Sequence, residues 1–200
     1  MGIGIKQPVS PQNKLIQTNQ RMGVRGINKM QGTTRMIWDS VEVAGNKTLR
    51  FFKNANQQGF PFTNLQKGNR LEVGESLVIN YMNFTLFNYT EEGDIYDKWG
   101  SISSLLADPT PFALGELNIL IANTQVMKPI ALNNFLPDQN KASLHENQEN
   151  FYFDTQIVIP PLVEFEVNLQ LPDELSDDPN TWCRCTIEGV GSIVAPRQTF

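Results

Sequence analysis

The sequence predicts an all-β protein, a single eight-stranded jelly-roll sandwich with one short helix and an extended N-terminal arm. Apolar residues recur at every second position along most of the chain after residue 35, as in strands with one buried face. Gly, Pro and Asn separate these runs, as expected at turns. The chain has 200 residues, a length that one β domain often reaches without splitting.

The alternating pattern divides the predicted jelly-roll domain, residues 36–200, into eight strands. In the clearest strand, residues 162–171, Val, Phe and Leu alternate with Glu, Asn and Gln. Pro160 and Pro161 separate it from the strand before it, because proline cannot donate a hydrogen bond to a ladder. The predicted strands are 36–43, 47–53, 76–90, 117–122, 127–133, 151–159, 162–171 and 181–195.

One helix is predicted between the third and fourth strands. Asp94 can cap its first turn, and Pro109 and Pro111 end it. The apolar residues that fall near one face of this helix are Ile95, Trp99, Ile102, Leu105 and Leu106.

Eight antiparallel strands with long, irregular connections favour a jelly roll over other sandwiches. An immunoglobulin-like sandwich is the alternative, and its core usually shows a Cys…Trp…Cys pattern. Here Trp182 directly precedes Cys183, and Cys185 follows two positions later. The jelly roll is therefore preferred, and the two cysteines are predicted to be small buried thiols, since a bond between residues two apart on a strand is badly strained.

Charge divides the chain into a basic arm, residues 1–35, and an acidic remainder. The arm has no Asp or Glu, and residues 36–200 contain ten basic and 21 acidic residues. A Gln-, Asn- and Gly-rich segment without an apolar period cannot bury enough surface to fold alone, so we expect it to be ordered only against other chains. The predicted assembly residues are its six cations, Lys6, Lys14, Arg21, Arg25, Lys29 and Arg35.

Three roles remain open for this arm. It can lie across acidic neighbouring subunits, because the opposite charge of the body favours docking, and this is the preferred reading. It can instead contact nucleic acid or an inner membrane surface. A tail without a function is the third reading.

The sequence shows no motif for catalysis, so we expect no enzyme, no cofactor, no metal and no small-molecule substrate. His145 is the single histidine, which leaves most Ser–His, Cys–His and multi-histidine sites without their residues. Glu164 and Glu166 are the nearest carboxylate pair for glycoside hydrolysis, and residues 173–178 form an acidic loop that lacks the spacing of a calcium site. The aromatic residues that could form a sugar platform, with core packing as the default, are Phe60, Phe62, Tyr96 and Trp99.

Four segments of the sandwich have a distinctive sequence: Thr48-Leu-Arg-Phe-Phe-Lys-Asn54, Phe60-Pro-Phe-Thr-Asn-Leu65, Leu71-Glu-Val-Gly-Glu-Ser-Leu77 and the strand pair at 157–172. They resemble the jelly-roll capsid proteins of bacteriophages, especially those of small tailless icosahedral phages and relatives that infect Bacteroidota. The resemblance implies a virion structural protein whose partners are copies of itself and other capsid proteins. It implies no active site.

The sequence therefore predicts a capsid subunit that assembles an icosahedral shell through its sandwich and its arm. No apolar run is long enough for a membrane span, and residues 1–6 lack the apolar core of a signal peptide. We accordingly expect synthesis in the host cytoplasm and a place in the virion. A receptor- or carbohydrate-binding module of a phage spike is the main alternative, and a hydrolase that uses a carboxylate pair is the third.

Overall fold

The computed structural model of the chain describes residues 10–21, 30–53, 59–65, 69–89, 99–106, 108–136 and 150–194. These residues form two antiparallel β-sheets packed as a sandwich with a few helices, which confirms the all-β class. The helices are α1 (Pro11–Arg21), α2 (Ile102–Leu105) and α3 (Thr110–Ala113), with a 3-10 turn at Leu132–Phe135. The strands are β1 (Met30–Glu42), β2 (Thr48–Phe51), β3 (Ser76–Asn88), β4 (Trp99–Ser101), β5 (Glu116–Ile121), β6 (Thr124–Gln125), β7 (Ile130–Ala131), β8 (Asn150–Tyr152), β9 (Val158–Ile159), β10 (Phe165–Gln170) and β11 (Thr181–Val194).

In the first sheet, here called sheet 1, β11 lies between β1 and β3. β1 pairs with β11 over its whole length, from Met30 opposite Val194 to Glu42 opposite Trp182. On its other side β11 pairs with β3, and the far edge of β3 pairs with β4, β8 and β9. Every one of these pairings is antiparallel, as expected for a sandwich.

Sheet 2 has the order β2, β10, β5, and both β6 and β7 pair with β5. Along β10, Phe165, Val167 and Leu169 are buried, whereas Glu166 and Asn168 between them are only half-buried. This is the period of two that the sequence predicted, because successive side chains of a strand point to opposite faces. The strand predicted at 162–171 is therefore confirmed, with its regular part at Phe165–Gln170.

The core lies between the two sheets and contains a cluster of buried phenylalanines. The ring of Phe84 in sheet 1 lies 5.7 Å from that of Phe51 in sheet 2. It also lies 6.0 Å from the ring of Phe112 in α3 and 5.1 Å from the ring of Phe135 in the 3-10 turn. Burial of each such side chain stabilises the fold by roughly 1.5–3 kcal/mol, so this cluster contributes much of the attraction between the sheets.

A bulge in β3 splits one predicted strand in two. The register between β11 and β3 shifts between Glu188 and Gly189, and it leaves Asn80 without an opposite residue. β8 pairs with β3 after Asn80, and β9 pairs with it before Asn80. The single strand predicted at 151–159 is therefore interrupted, because a bulge breaks the ladder with which it pairs.

The strand predicted at 127–133 is wrong. The chain forms β6 before this range and only the two-residue β7 within it, and then it enters the 3-10 turn. Pro129 stands directly before β7 and has no amide hydrogen for a ladder. The apolar residues of this range pack at the edge of the core without a regular strand.

The helix predicted from Asp94 is wrong where the structure describes it. Trp99–Ser101 form β4, which pairs with Thr85–Phe87 of β3, and only Ile102–Leu105 are helical. Residues 94–98 lie outside the described residues. The edge of β3 offers backbone groups that need partners, and this pairing outweighs a helical period of modest strength.

The prediction of an extended arm is wrong for residues 11–21, which form helix α1. Pro11 occupies the first helical turn, where its missing amide hydrogen costs nothing, and Ser10 accepts a hydrogen bond from the backbone of Asn13 through Oγ at 3.3 Å. β1 begins at Met30, so residues 30–35 belong to sheet 1. Residues 1–9 and 22–29 lie outside the described residues.

Candidate functional site

Helix α1 docks on the outer face of sheet 1 through two buried side chains, Leu15 and Asn19. The Nδ2 group of Asn19 donates to Oγ of Ser76 at 2.8 Å and lies 3.3 Å from Oγ of Ser192. The two serines are opposite each other on β3 and β11. Leu77, beside Ser76, belongs to the core, so the serines point outward. One amide therefore fixes the helix to two strands.

This docking changes the interpretation of the N-terminal segment. The segment was expected to be ordered only against other chains, yet α1 lies against sheet 1 of its own chain. That expectation is wrong for residues 11–21. The sequence signal that was missed is the pair Leu15 and Asn19, which lie one turn apart on one helical face. An apolar stripe only one residue wide does not show as a helical period.

Two of the six predicted assembly cations contact the body of their own chain. The ammonium of Lys14 donates to the backbone oxygen of Gln156. The Nη2 group of Arg35 lies 2.7 Å from Oε2 of Glu75, in an ion pair whose side chains are 19% and 24% exposed. These contacts hold the N-terminal segment and the start of β1 in place.

Of the other four cations, the structure describes only Arg21. Arg21 is exposed in the last turn of α1, where a positive charge interacts favourably with the helix dipole. Lys6, Arg25 and Lys29 lie outside the described residues. The role of the six cations in assembly therefore stays a prediction.

A second segment, the loop at residues 59–65, also covers the outer face of sheet 1. Oδ1 of Asn64 accepts a hydrogen bond from the amide of Trp38 at 2.9 Å, and its Nδ2 donates to the oxygen of Met36 at 2.9 Å. Oγ1 of Thr63 donates to the oxygen of Trp38 at 3.0 Å. The side chains of this loop therefore act as an additional partner for the backbone of β1.

Arg184 of β11 also binds the loop at residues 59–65. Its Nη2 donates to the oxygen of Pro61 at 2.9 Å, and its Nε donates to Oγ of Ser40 at 3.1 Å. The guanidinium carbon lies 5.6 Å from the ring centre of Trp38 and 5.1 Å from that of Phe87. Such cation–π contacts contribute roughly 0.5–2 kcal/mol each. Sequence analysis missed this cluster because its members are far apart in the chain.

Of the four aromatic residues considered as a sugar platform, Phe60 and Phe62 have described side chains, and these two do not form a common surface. Phe62 packs 4.4 Å from Trp182 and 4.9 Å from Tyr89, measured between ring centres. Phe60 instead points into solvent and is 86% exposed. Trp99 is part of β4, and Tyr96 lies outside the described residues. Core and loop packing therefore accounts for Phe62 but not for Phe60.

An apolar concavity lies near the start of β3, at the end of the strand opposite to Phe87. Leu71 forms its buried floor, and the exposed side chains of Val73 and Leu162 form its walls. Arg70 and Glu72 flank it, and its volume is about 230 Å³. Leu162 has a φ of 59°, a left-handed conformation that is an outlier for a bulky branched residue.

A pair of tyrosines lies on the outer face of sheet 1, between the loop at residues 59–65 and the concavity. The rings of Tyr81 and Tyr152 lie 5.5 Å apart, and Tyr152 is 60% exposed. Tyr81 donates a hydrogen bond to Glu188, and this bond raises the pKa of the phenol to about 12. The pair offers an aromatic surface with a fixed carboxylate beside it.

Several of the carboxylates considered for catalysis or calcium binding make local contacts. Glu166 lies 3.8 Å from Arg50 in a surface ion pair, and Glu164 is exposed after β9. In the acidic loop, Asp173 pairs with Lys47 at 2.9 Å, and Asp178 accepts the amide of Asn180 at 2.9 Å. Among the described residues, no group of three or more His, Cys, Asp or Glu is placed to hold a metal ion. His145 lies outside these residues.

The two cysteines are free and buried, as predicted. Burial raises the pKa of both thiols far above the ordinary value, and the nearby Asp39 adds to the effect at Cys185. A thiol that stays protonated is a poor nucleophile and a poor metal ligand. Their role in the described structure is to fill the core beneath β1 and β3.

In the described part of the chain, no helix is both long and apolar enough to cross a membrane. Comparisons of the chain with protein-family models, with curated proteins and with solved structures found no match.

Proposed function

We propose that this chain is a coat subunit of a bacteriophage virion, with a jelly-roll body that assembles with copies of itself. The proposal rests first on the order in which the strands pair. β1 pairs with β11, β2 with β10, β3 with both β8 and β9, and β5 with both β6 and β7.

These pairings are nested. If β8 and β9 count as one interrupted strand, and β6 and β7 as another, the first strand pairs with the eighth, the second with the seventh, the third with the sixth and the fourth with the fifth. This is the order of one long hairpin rolled on itself. The further pairings of β11 with β3 and of β10 with β5 join its arms into two sheets. The order supports a jelly roll, with β4 as an addition at the edge.

Jelly rolls serve as viral capsid domains, as lectin domains and as cupins. The resemblance of residues 48–54, 60–65 and 71–77 to phage capsid proteins favours the first of these. The surface supports the same choice, since Phe60, Val73 and Leu162 are all more than half exposed. Val73 and Leu162 line the same concavity, and neighbouring apolar groups exposed on a surface often mark a contact with another protein.

The test is whether the purified full chain assembles. We expect sedimentation velocity to show species far larger than a 22.6 kDa monomer at high protein concentration, and electron microscopy to show closed or curved shells. A chain that remains monomeric at millimolar concentration and over a range of salt would overturn the proposal.

A truncation tests the part that the N-terminal segment has in assembly. Deletion of residues 1–21 removes α1 and leaves β1 intact, whereas deletion of residues 1–35 also removes residues 30–35 from sheet 1. We expect the shorter deletion to fold and to lose shells, because the outward face of α1, with the exposed Ile16, is then missing. Normal shells from this variant would mean that the sandwich assembles without α1.

A receptor- or carbohydrate-binding module is the second candidate, and the pair of Tyr81 and Tyr152 favours it. Exposed aromatic rings beside a carboxylate suit the apolar face and the hydroxyl groups of a sugar. A glycan array tests this function directly. A hit that disappears in Tyr152→Ala, from a chain that forms no large assembly, would replace the coat proposal.

A further inference from the structure

We propose that Phe60 of one subunit inserts into the concavity formed by Leu71, Val73 and Leu162 of a second copy of this chain. This inference rests on the proposed assembly function and names the contact that carries it.

The loop that carries Phe60 is fixed before any partner arrives. The amides of Phe62 and Thr63 both donate to the oxygen of Gly59, at 3.0 and 3.1 Å, and Arg184 binds the oxygen of Pro61. Phe60 nevertheless remains the most exposed large apolar side chain of the described residues. An aromatic side chain on a rigid loop loses little conformational entropy on binding, which favours its use as an anchor.

The concavity has the size and lining for such an anchor. Its volume of about 230 Å³ exceeds the roughly 150 Å³ of an apolar cavity that binds benzene. Leu71 is 1% exposed, while Val73 is 64% and Leu162 is 51% exposed, so the walls gain burial when a ring enters. Arg70 at the rim can approach the face of an inserted ring, a favourable cation–π geometry.

The backbone of Leu162 also indicates a role for this surface. A left-handed conformation at a leucine costs roughly 1–2 kcal/mol, and strained residues persist mainly where function uses them. The amide of Leu162 donates to the oxygen of Leu71 at 2.9 Å and holds the strained residue in place. The chain therefore keeps an apolar side chain in solvent at a cost to its own stability.

The two surfaces lie at opposite ends of β3, so they cannot meet within one chain. Phe62, close to Phe60, packs against Phe87 at the end of β3. Leu71, at the floor of the concavity, forms an isolated bridge with Pro161. Pro161 follows Ile159 by two residues, and Ile159 pairs with Leu77 at the start of β3. The ten residue steps from Leu77 to Phe87 span about 33 Å. When such a contact repeats head-to-tail between copies, it generates rings if the rotation closes and open filaments if it does not.

Two variants test the contact on the full chain. Phe60→Ala removes the anchor and keeps the concavity. Leu162→Asn removes an apolar wall and keeps the anchor, and asparagine tolerates the left-handed backbone. Leu114→Ala is the matched control, because Leu114 is 70% exposed and is not among the residues that line the concavity. Circular dichroism and thermal unfolding establish that each variant folds.

We expect each of the two variants to weaken self-association by at least about 30-fold, the effect of a hot-spot side chain, and the control to associate as the wild type does. A head-to-tail contact makes a sharper prediction for a mixture. Phe60→Ala still has a concavity and Leu162→Asn still has an anchor, so an equimolar mixture should recover the contact as a one-to-one heterodimer that neither variant forms alone.

The outcomes separate this inference from the coat proposal. If both variants assemble normally, or if each fails and their mixture yields no heterodimer, the proposed contact is wrong while assembly by another surface stands. If the wild-type chain itself stays monomeric, both proposals are wrong.

Discussion

The carboxylate of Asp39 accepts a hydrogen bond from the backbone amide of Phe52, with 2.5 Å between Oδ2 and the nitrogen. Asp39 lies in sheet 1, and Phe52 directly follows β2 of sheet 2, so this bond crosses the sandwich. Phe52 has a φ of 66°, a conformation that is costly for an aromatic residue. The buried carboxylate therefore holds the chain at the corner where it passes between the sheets.

Asp39 should make stability depend on pH. Burial raises its pKa from 3.8 to about 6, although the bond from Phe52 acts in the opposite direction. Between these pH values the folded state binds more protons than the unfolded state, so stability falls as pH rises from about 4 to about 6. At roughly 1.4 kcal/mol per pKa unit, the loss is at most a few kcal/mol. Urea unfolding at pH 4.5 and pH 7.5 measures it.

Asp39→Asn is the matched variant for this measurement. It keeps an acceptor for the amide of Phe52 and carries no charge, so it should lose most of the pH dependence between 4 and 6. It should also unfold at the same or a higher urea concentration than the wild type at pH 7.5. An unchanged pH dependence in the variant would assign the effect to another group.

Gly189 should tolerate no side chain. A Cβ atom at this position would lie 1.8 Å from the backbone oxygen of Val78, at the bulge where the register of β11 and β3 shifts. Backbone cannot move away without breaking the ladder, so Gly189→Ala should destabilise the fold by about 3 kcal/mol or more. Chemical denaturation of the purified variant measures this loss.

Gly32 supplies the control for that prediction. It also lies in sheet 1, and a Cβ atom there would meet nothing within 4 Å. Gly32→Ala should therefore change the free energy of unfolding by less than about 1 kcal/mol. Equal effects of the two substitutions would mean that the backbone of β11 at Gly189 is not as close to β3 as described.

The loop at residues 59–65 should depend on an arginine at position 184, and a lysine should not replace it. Lysine keeps the charge but not the planar fork that reaches both Pro61 and Ser40, so Arg184→Lys should loosen the loop at residues 59–65 and cost about 1–2 kcal/mol. Hydrogen exchange of the loop amides should rise in this variant. Arg50→Lys is the control, because Arg50 is 52% exposed and makes only a 3.8 Å ion pair. Protection of the loop that survives Arg184→Lys would contradict the role given to Arg184.

The sandwich could be predicted because its signal is local. β10 and β11 show the period of two along their own sequence, and Cys183 and Cys185 face the core as that period requires. The splitting of β8 from β9 could not be predicted, since its cause, the bulge at Asn80, lies on another strand. The docking of α1 was missed for the same reason, because Ser76 and Ser192 complete the site only after β3 and β11 have paired.

The position of β11 has a consequence for how the polypeptide is made. β11 is the last described strand to leave the ribosome, yet it lies between β1 and β3, and Arg184 bonds to Ser40 across 144 positions of sequence. Until residue 194 emerges, β1 lacks the partner that it has along its whole length. Such distant pairings slow folding and leave apolar strands uncovered. Nascent chains are therefore expected to need chaperone protection until synthesis has passed the final strand.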